Sequence, residues 1–197
     1  MSSTSLHFRR ACPADYPALE TLLNALYIGN LSADEAQASG FLATPFTQAQ
    51  IAIFNDGLGA LVAVEQDTVL GFLGLMESDA PFAPPVVQAM TAAMRQTSFD
   101  GQPLAACKPF LFGPIAIARQ ARGRGIFRGL YQAMWNFLDP SRYELGLAFI
   151  HQENHHSLTV HQQALGVTVL APFMCGDAAY WLVAYRRPAA LFPPLAG

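Results

Sequence analysis

Between residues 110 and 138 an apolar run, a basic glycine turn and an amphipathic helix pattern follow one another without interruption. No other stretch restricts the fold so tightly. The run 110–118 is β-branched at Ile115 and Ile117 and reads as a strand. After the turn, Ile126, Leu130, Met134 and Leu138 recur every fourth residue, and Phe127, Tyr131 and Trp135 widen that stripe into a broad buried face. A strand, a tight turn and a helix start gather unbonded backbone N–H groups and a positive dipole end at one point, a setting suited to a phosphate or diphosphate. Gly123 and Gly125 let a ligand approach the backbone closely, and Arg122 and Arg124 add charge. The same glycines could instead serve only as a tight strand-to-helix joint, but four arginines around a helix start favour the anion. The turn is not a P-loop, since no Gly-Lys-Ser/Thr closes it. Nor is it a dinucleotide fingerprint, because Gly123, Gly125 and Gly129 have the wrong spacing.

Composition excludes several partners. The 197 residues are 52% hydrophobic, enough to bury the core of a single domain spanning 1–197, with its folded centre at about 5–186. Only 13% are charged and the net charge is −3, whereas a sequence-independent nucleic-acid binder needs a basic excess. The clustered arginines at 119, 122, 124 and 128 suit one small anion better than a polymer. No apolar run reaches the roughly 18–20 residues of a membrane span, and residues 1–10 lack the apolar core of a signal peptide. Cys12, Cys107 and Cys175 are too few and too scattered for a disulfide framework or zinc knuckle, which points to a reducing cytoplasm.

Along the chain the pattern predicts a strand at 5–11 and a helix from Pro13 carrying Leu19, Leu22, Leu23 and Leu26 on one face. A polar helix follows at 32–39, with Ser32 as N-cap and Glu35 three residues on, and a short helix at 47–54. Runs 58–64 and 68–76, separated by Glu65-Gln66-Asp67, read as an antiparallel hairpin. Residues 80–109 form an excursion with a helix at 86–94 and a polar tip at 98–101. Beyond the glycine turn come a strand at 145–150, a helix at 154–164 and strands at 167–173 and 179–185. This order predicts an α+β chain: a mixed sheet covered by helices, with one parallel β-α-β crossover.

The segment Ile115-Ala116-Ile117-Ala118-Arg119-Gln120-Ala121-Arg122-Gly123-Arg124-Gly125-Ile126 resembles the acyl-CoA signature of the GNAT superfamily of N-acetyltransferases, Arg/Gln-x-x-Gly-x-Gly/Ala. Phe127 stands where that pattern ends in Gly or Ala. A second register, Gln120-x-x-Gly123-x-Gly125, fits the letters but sets the glycines earlier against the helix stripe, so the first is preferred. Asn154-His155-His156-Ser157 and Leu165-Gly166-Val167 resemble the family's late helix, Asn-x-x-Ser/Ala followed by Leu-Gly-Phe. The order of elements also matches, so the resemblance covers about 5–186. It implies a central, mostly antiparallel mixed sheet flanked by helices.

The resemblance further implies acetyl-CoA as co-substrate, with its diphosphate on the amides of Arg122, Gly123, Arg124, Gly125, Ile126 and Phe127. The pantetheine arm would pair strand-like with Ile115, Ala116 and Ile117, where a backbone N–H would polarise the thioester carbonyl. Asn154 is either a helix cap or a pantetheine contact. His161 stands where the family commonly has an acidic tyrosine, and Glu77, His151 and Glu153 are candidate bases at strand ends. His151, His155, His156 and His161 lack a cysteine or paired carboxylate to complete a metal set, so no metal is expected. The implied activity is acetyl transfer to a primary amine of a small molecule or peptide by direct attack in a ternary complex. The alternative is a non-catalytic acyl-CoA-binding or sensing module. The apolar tail 189–195 could cover a partner, as in a homodimer, or the chain's own sheet edge.

Overall fold

Hydrophobic periodicity and turn chemistry account for nearly every element. The computed structural model describes residues 5–80 and 83–189. Its elements are β1 (His7–Arg10), α1 (Tyr16–Asn24), α2 (Ala33–Ser39), α3 (Gln48–Asp56), β2 (Gly59–Glu65), β3 (Thr68–Glu77), α4 (Pro85–Met94), β4 (Ser98–Phe99), β5 (Gln102–Pro103), β6 (Phe110–Ile117), α5 (Ile126–Phe137), β7 (Leu145–His151), α6 (His155–Leu165), β8 (Thr168–Cys175) and β9 (Ala178–Arg186). Ser32 caps α2 with Glu35 closing the box, and Thr47 caps α3 in the same way with Gln50. The β2–β3 turn uses two residues, Gln66 and Asp67, both at positive φ, rather than the three expected. The expected helix from Pro13 opens as a short 3₁₀ turn and ends at Asn24, although Leu26 stays buried. Apart from Ala189, the apolar tail lies outside the described residues.

Seven strands form one sheet in the order β1-β2-β3-β6-β7-β9-β8, and β4-β5 is a separate two-stranded ribbon. Every pairing in the large sheet is antiparallel except β6 with β7, which α5 connects as the predicted crossover. The sheet is therefore mixed and mostly antiparallel, as anticipated. The final hairpin folds back so that β9, not β8, lies against β7.

Two layers of helices cover the sheet. On one face Ile126, Leu130, Tyr131, Met134 and Trp135 of α5 pack with Leu73, Phe110, Phe112 and Ile150. On the other, Leu19 and Leu23 of α1 and Ile51 and Phe54 of α3 pack on Val62 and Phe72. Met90 and Met94 of α4 cover Leu147 and Leu182 further along that second face. These methionines fill core space, as their helical spacing suggests.

The feature that shapes a site is how briefly β6 and β7 pair. Their ladder holds only Phe110 with Gly146 and Leu111 with Leu147. Past that point β6 stays on β3 as far as Ile117, while β7 stays on β9 as far as His151. The break falls at Gly113-Pro114: Gly113 takes φ +106, Pro114 has no N–H to donate, and the β3 register shifts between Leu73 and Leu75. Beyond it the facing edges of β6 and β7 are unpaired, and this gap, the groove referred to below, runs toward the glycine turn.

Candidate functional site

At the end of the groove Gly123 and Gly125 take φ +76 and +78, the left-handed region that favours glycine. Gly125 is the N-cap of α5 and carries no side-chain cap, and the helix begins at Ile126. Among the described residues, the N–H groups of Gly123, Arg124, Gly125, Ile126 and Phe127 donate to no protein acceptor; the first intrahelical bond starts at Gly129. A Cβ on Gly123 would meet nothing within 4 Å. Five unbonded amides at the positive end of a 12-residue helix are donors that suit an anion. The helix start at Ile126 matches the preferred register of the motif.

The arginines divide their work. Arg119 pairs with Glu35 at 2.8 Å and Arg124 with Glu65 at 2.5 Å. Arg122 has no carboxylate among the described residues. Its pKa is pushed down, first by burial and then by the neighbouring Arg119 charge. The local charge that the glycine turn suggests is thus partly offset by the chain's own acids, and Arg122 is the cation left for a ligand. His156 is near enough for the Arg122 charge to add to burial in lowering its pKa. The sequence did not mark His156 for this place, because only the packing of α6 beside the turn brings it there.

Along β6, the Ala118 N–H bonds to Leu70 O across β3, so in the alternating ladder Ala116 faces β3 as well. The backbone groups of Ile115 and Ile117 consequently point into the groove, while those of Ala116 serve the sheet. Of the three expected pantetheine-pairing residues, two have groups to offer.

Asn154 is a cap. Its Oδ1 accepts from Ser157 N–H at 3.1 Å and its Nδ2 donates to Phe41 O at 2.8 Å, and the residue is 6% exposed. The second bond ties α6 to the segment after α2. The tie is close, since a Cβ on Gly40 would lie 3.0 Å from Asn154 Oδ1.

His161 is buried, stacks on Phe112 and meets Phe127 edge-on. Its Nδ1–H donates to Ser157 O at 2.7 Å, leaving Nε2 to accept from Tyr131 O–H at 2.8 Å. Burial, opposed only by the Ser157 bond, pushes its pKa down to about 4. At neutral pH the imidazole is uncharged with both nitrogens engaged, so it has no imidazolium proton to give. The linked effect on stability has a definite sign. The unfolded histidine takes up a proton near pH 6.5 and the folded one only near 4, so stability is full above about 6.5 and falls as the pH drops toward 4. The loss should amount to about 3 kcal/mol. Acid-denaturation curves of His161→Phe should lack that limb; an unchanged limb would show that another group causes it.

The base candidates do not converge. Glu77 pairs opposite Phe110, at the far end of β6 from the glycine turn, and is held by Tyr143 O–H and Arg142. β3 runs antiparallel to β6, so the end of β3 meets the start of β6 and this strand-end candidate stands apart from the glycine turn. His151 does stand at the groove end of β7, between Phe41 and Tyr180, but its Nδ1 accepts from Glu153 N–H at 3.2 Å. Its Nε2 therefore carries the proton in the neutral ring. Among the described residues, no cluster of three or more metal-ligating side chains occurs and no helix is long and apolar enough to cross a membrane.

A splayed parallel pair in a mostly antiparallel sheet, with an uncapped glycine helix start beside it, is the GNAT acetyltransferase fold, and this chain has that fold. The GNAT-family acetyltransferase from Streptococcus agalactiae 2603 superposes with a TM-score of 0.63 at 15% identity, over 93% of this chain and 96% of that one. An N-acetyltransferase from Staphylococcus aureus Mu50 gives 0.57 at 21% identity, covering 92% and 97%. The yncA protein of Salmonella typhimurium, solved with acetyl-CoA, gives 0.59 at 16%, covering 98% and 100%. No protein-family model and no curated protein sequence matches the chain.

Proposed function

We propose that the chain is an acetyl-CoA-dependent N-acetyltransferase acting on a primary amine of a small molecule or peptide. The observation that carries this reading is the row of five unbonded amides from Gly123 to Phe127, with Arg122 lacking an acidic partner, at the end of the groove. These amides and Arg122 would hold the diphosphate, and Phe127, though bulky, still offers its N–H. The outward backbone of Ile115 and Ile117 would hold the pantetheine arm and place a donor where charge develops on the thioester oxygen. The thioester supplies the acyl group: the amine nitrogen bonds to its carbonyl carbon, and the bond to sulfur breaks to release the thiolate of CoA. Direct attack in a ternary complex needs only that both substrates meet at the groove. The likeness in fold to the acetyltransferases named above supports the reading, one of them solved with acetyl-CoA.

Proton handling favours keeping a second reading, a non-catalytic acyl-CoA-binding module. His161 is neutral and saturated, His151 is tied at Nδ1, and Glu77 already accepts from Tyr143 and Arg142. An enzyme built this way would pass the ammonium proton to water. Calorimetric titration with acetyl-CoA tests what the two readings share: failure to bind at about 100 µM removes both. Thiol release on a panel of amines then separates them. Turnover is expected to survive in His161→Phe; a collapse in kcat without a change in Tm would restore the histidine to the acid role. The same variant strands the buried Tyr131 hydroxyl, whereas the double variant with Tyr131→Phe removes both partners and should recover stability.

A further inference from the structure

At the opposite end of β6 from the glycine turn lies a cleft of about 360 Å³. Its walls are the two ends of the long β3–β6 connection, the C-terminal turn of α4 and the turn before β7. We propose that this cleft binds a small ligand bearing one oxyanion group, carboxylate or phosphate monoester, and a hydrogen-bond donor that meets Glu77.

The chemistry of the walls selects that class. Arg95, Lys108 and Arg142 face Glu77 and Asp79, leaving one net positive charge. Among the described residues neither Arg95 nor Lys108 has an acidic partner. Arg142 is already engaged: it donates to Glu77 Oε1 at 3.0 Å, and its guanidinium lies over the Tyr143 ring at 4.9 Å. Tyr143 O–H donates to the same Oε1 at 2.5 Å. Both donors thus converge on one oxygen and leave Oε2 available to a ligand donor. Lys108 sits at φ +45, a backbone state a long side chain adopts rarely and one that recurs where side chains clamp ligands. The volume is that of a small-molecule site. Eight residues of β6, about 25 Å of strand, separate the cleft from the glycine turn, so its occupant is distinct from any diphosphate held there. The site stands whether or not acyl transfer is the activity.

The test is calorimetry of the full chain at low ionic strength, with inorganic phosphate and with succinate as probes. Saturable binding of at least one probe is expected, weakened about tenfold or more by Lys108→Glu and by Arg95→Glu. Both variants should bind acetyl-CoA like the parent, which separates this outcome from a failure of the transferase reading. The preferred probe identifies the oxyanion. The proposal fails if neither probe saturates by about 10 mM. It fails equally if Arg122→Glu, and not Lys108→Glu, abolishes phosphate binding, because the anion would then be held at the glycine turn.

Discussion

Arg122→Glu is expected to weaken acetyl-CoA binding about 100-fold while leaving Tm unchanged or raised. The two halves of that result have one cause. Arg122 lies partly buried beside Arg119 with no carboxylate among the described residues to answer it, so the folded protein gains little from its charge. Reversing the charge would relieve the repulsion from Arg119 in the free protein, yet it would set an anion against the diphosphate. Arg119 and Arg124 already satisfy Glu35 and Glu65 and are poorly placed to compensate. Calorimetry and a thermal melt on the same sample check both halves. Unchanged affinity would remove the glycine turn from the binding site. A marked fall in Tm would mean that Arg122 has a structural partner, and the argument for a waiting cation would end.

Trp135→Ala should be the most destabilising single change, costing about 3–5 kcal/mol in urea unfolding. Trp135 is fully buried on α5, edge-on to Phe110 at 5.3 Å and tilted against Tyr185 at 5.5 Å. The Arg187 guanidinium lies over its ring at 4.8 Å and donates at 2.9 Å to the carbonyls of Trp135 and Leu138, closing the C-terminal end of α5. Truncation opens a cavity among aromatics that cannot collapse, and it loosens the residue that caps the helix. Because α5 opens at the glycine turn, the residual folded fraction should still bind acetyl-CoA; a loss below about 1 kcal/mol would show that the aromatic cluster repacks.

The residue pattern determined most of the local structure. Period-four apolar spacing set the buried face of α5, Ser32 with Glu35 set the start of α2, and paired glycines after an apolar strand set an uncapped helix start. Each is a short-range constraint, in which the residues that decide the outcome lie within a turn or two of one another. Tertiary structure decided what depends on contacts between distant residues. It split β6 from β7 at Gly113-Pro114, slid β9 between β7 and β8, and set Glu77 opposite Phe110, at the end of β6 remote from the glycine turn. Through a Tyr131 bond formed 30 residues away in sequence it turned His161 from a plausible acid into a neutral core residue. The same packing joined Glu77 to Tyr143 across 66 residues and so made a cleft that no motif announces. Charge state and proximity arise from burial, and burial is settled only when the sheet and its two helical layers close.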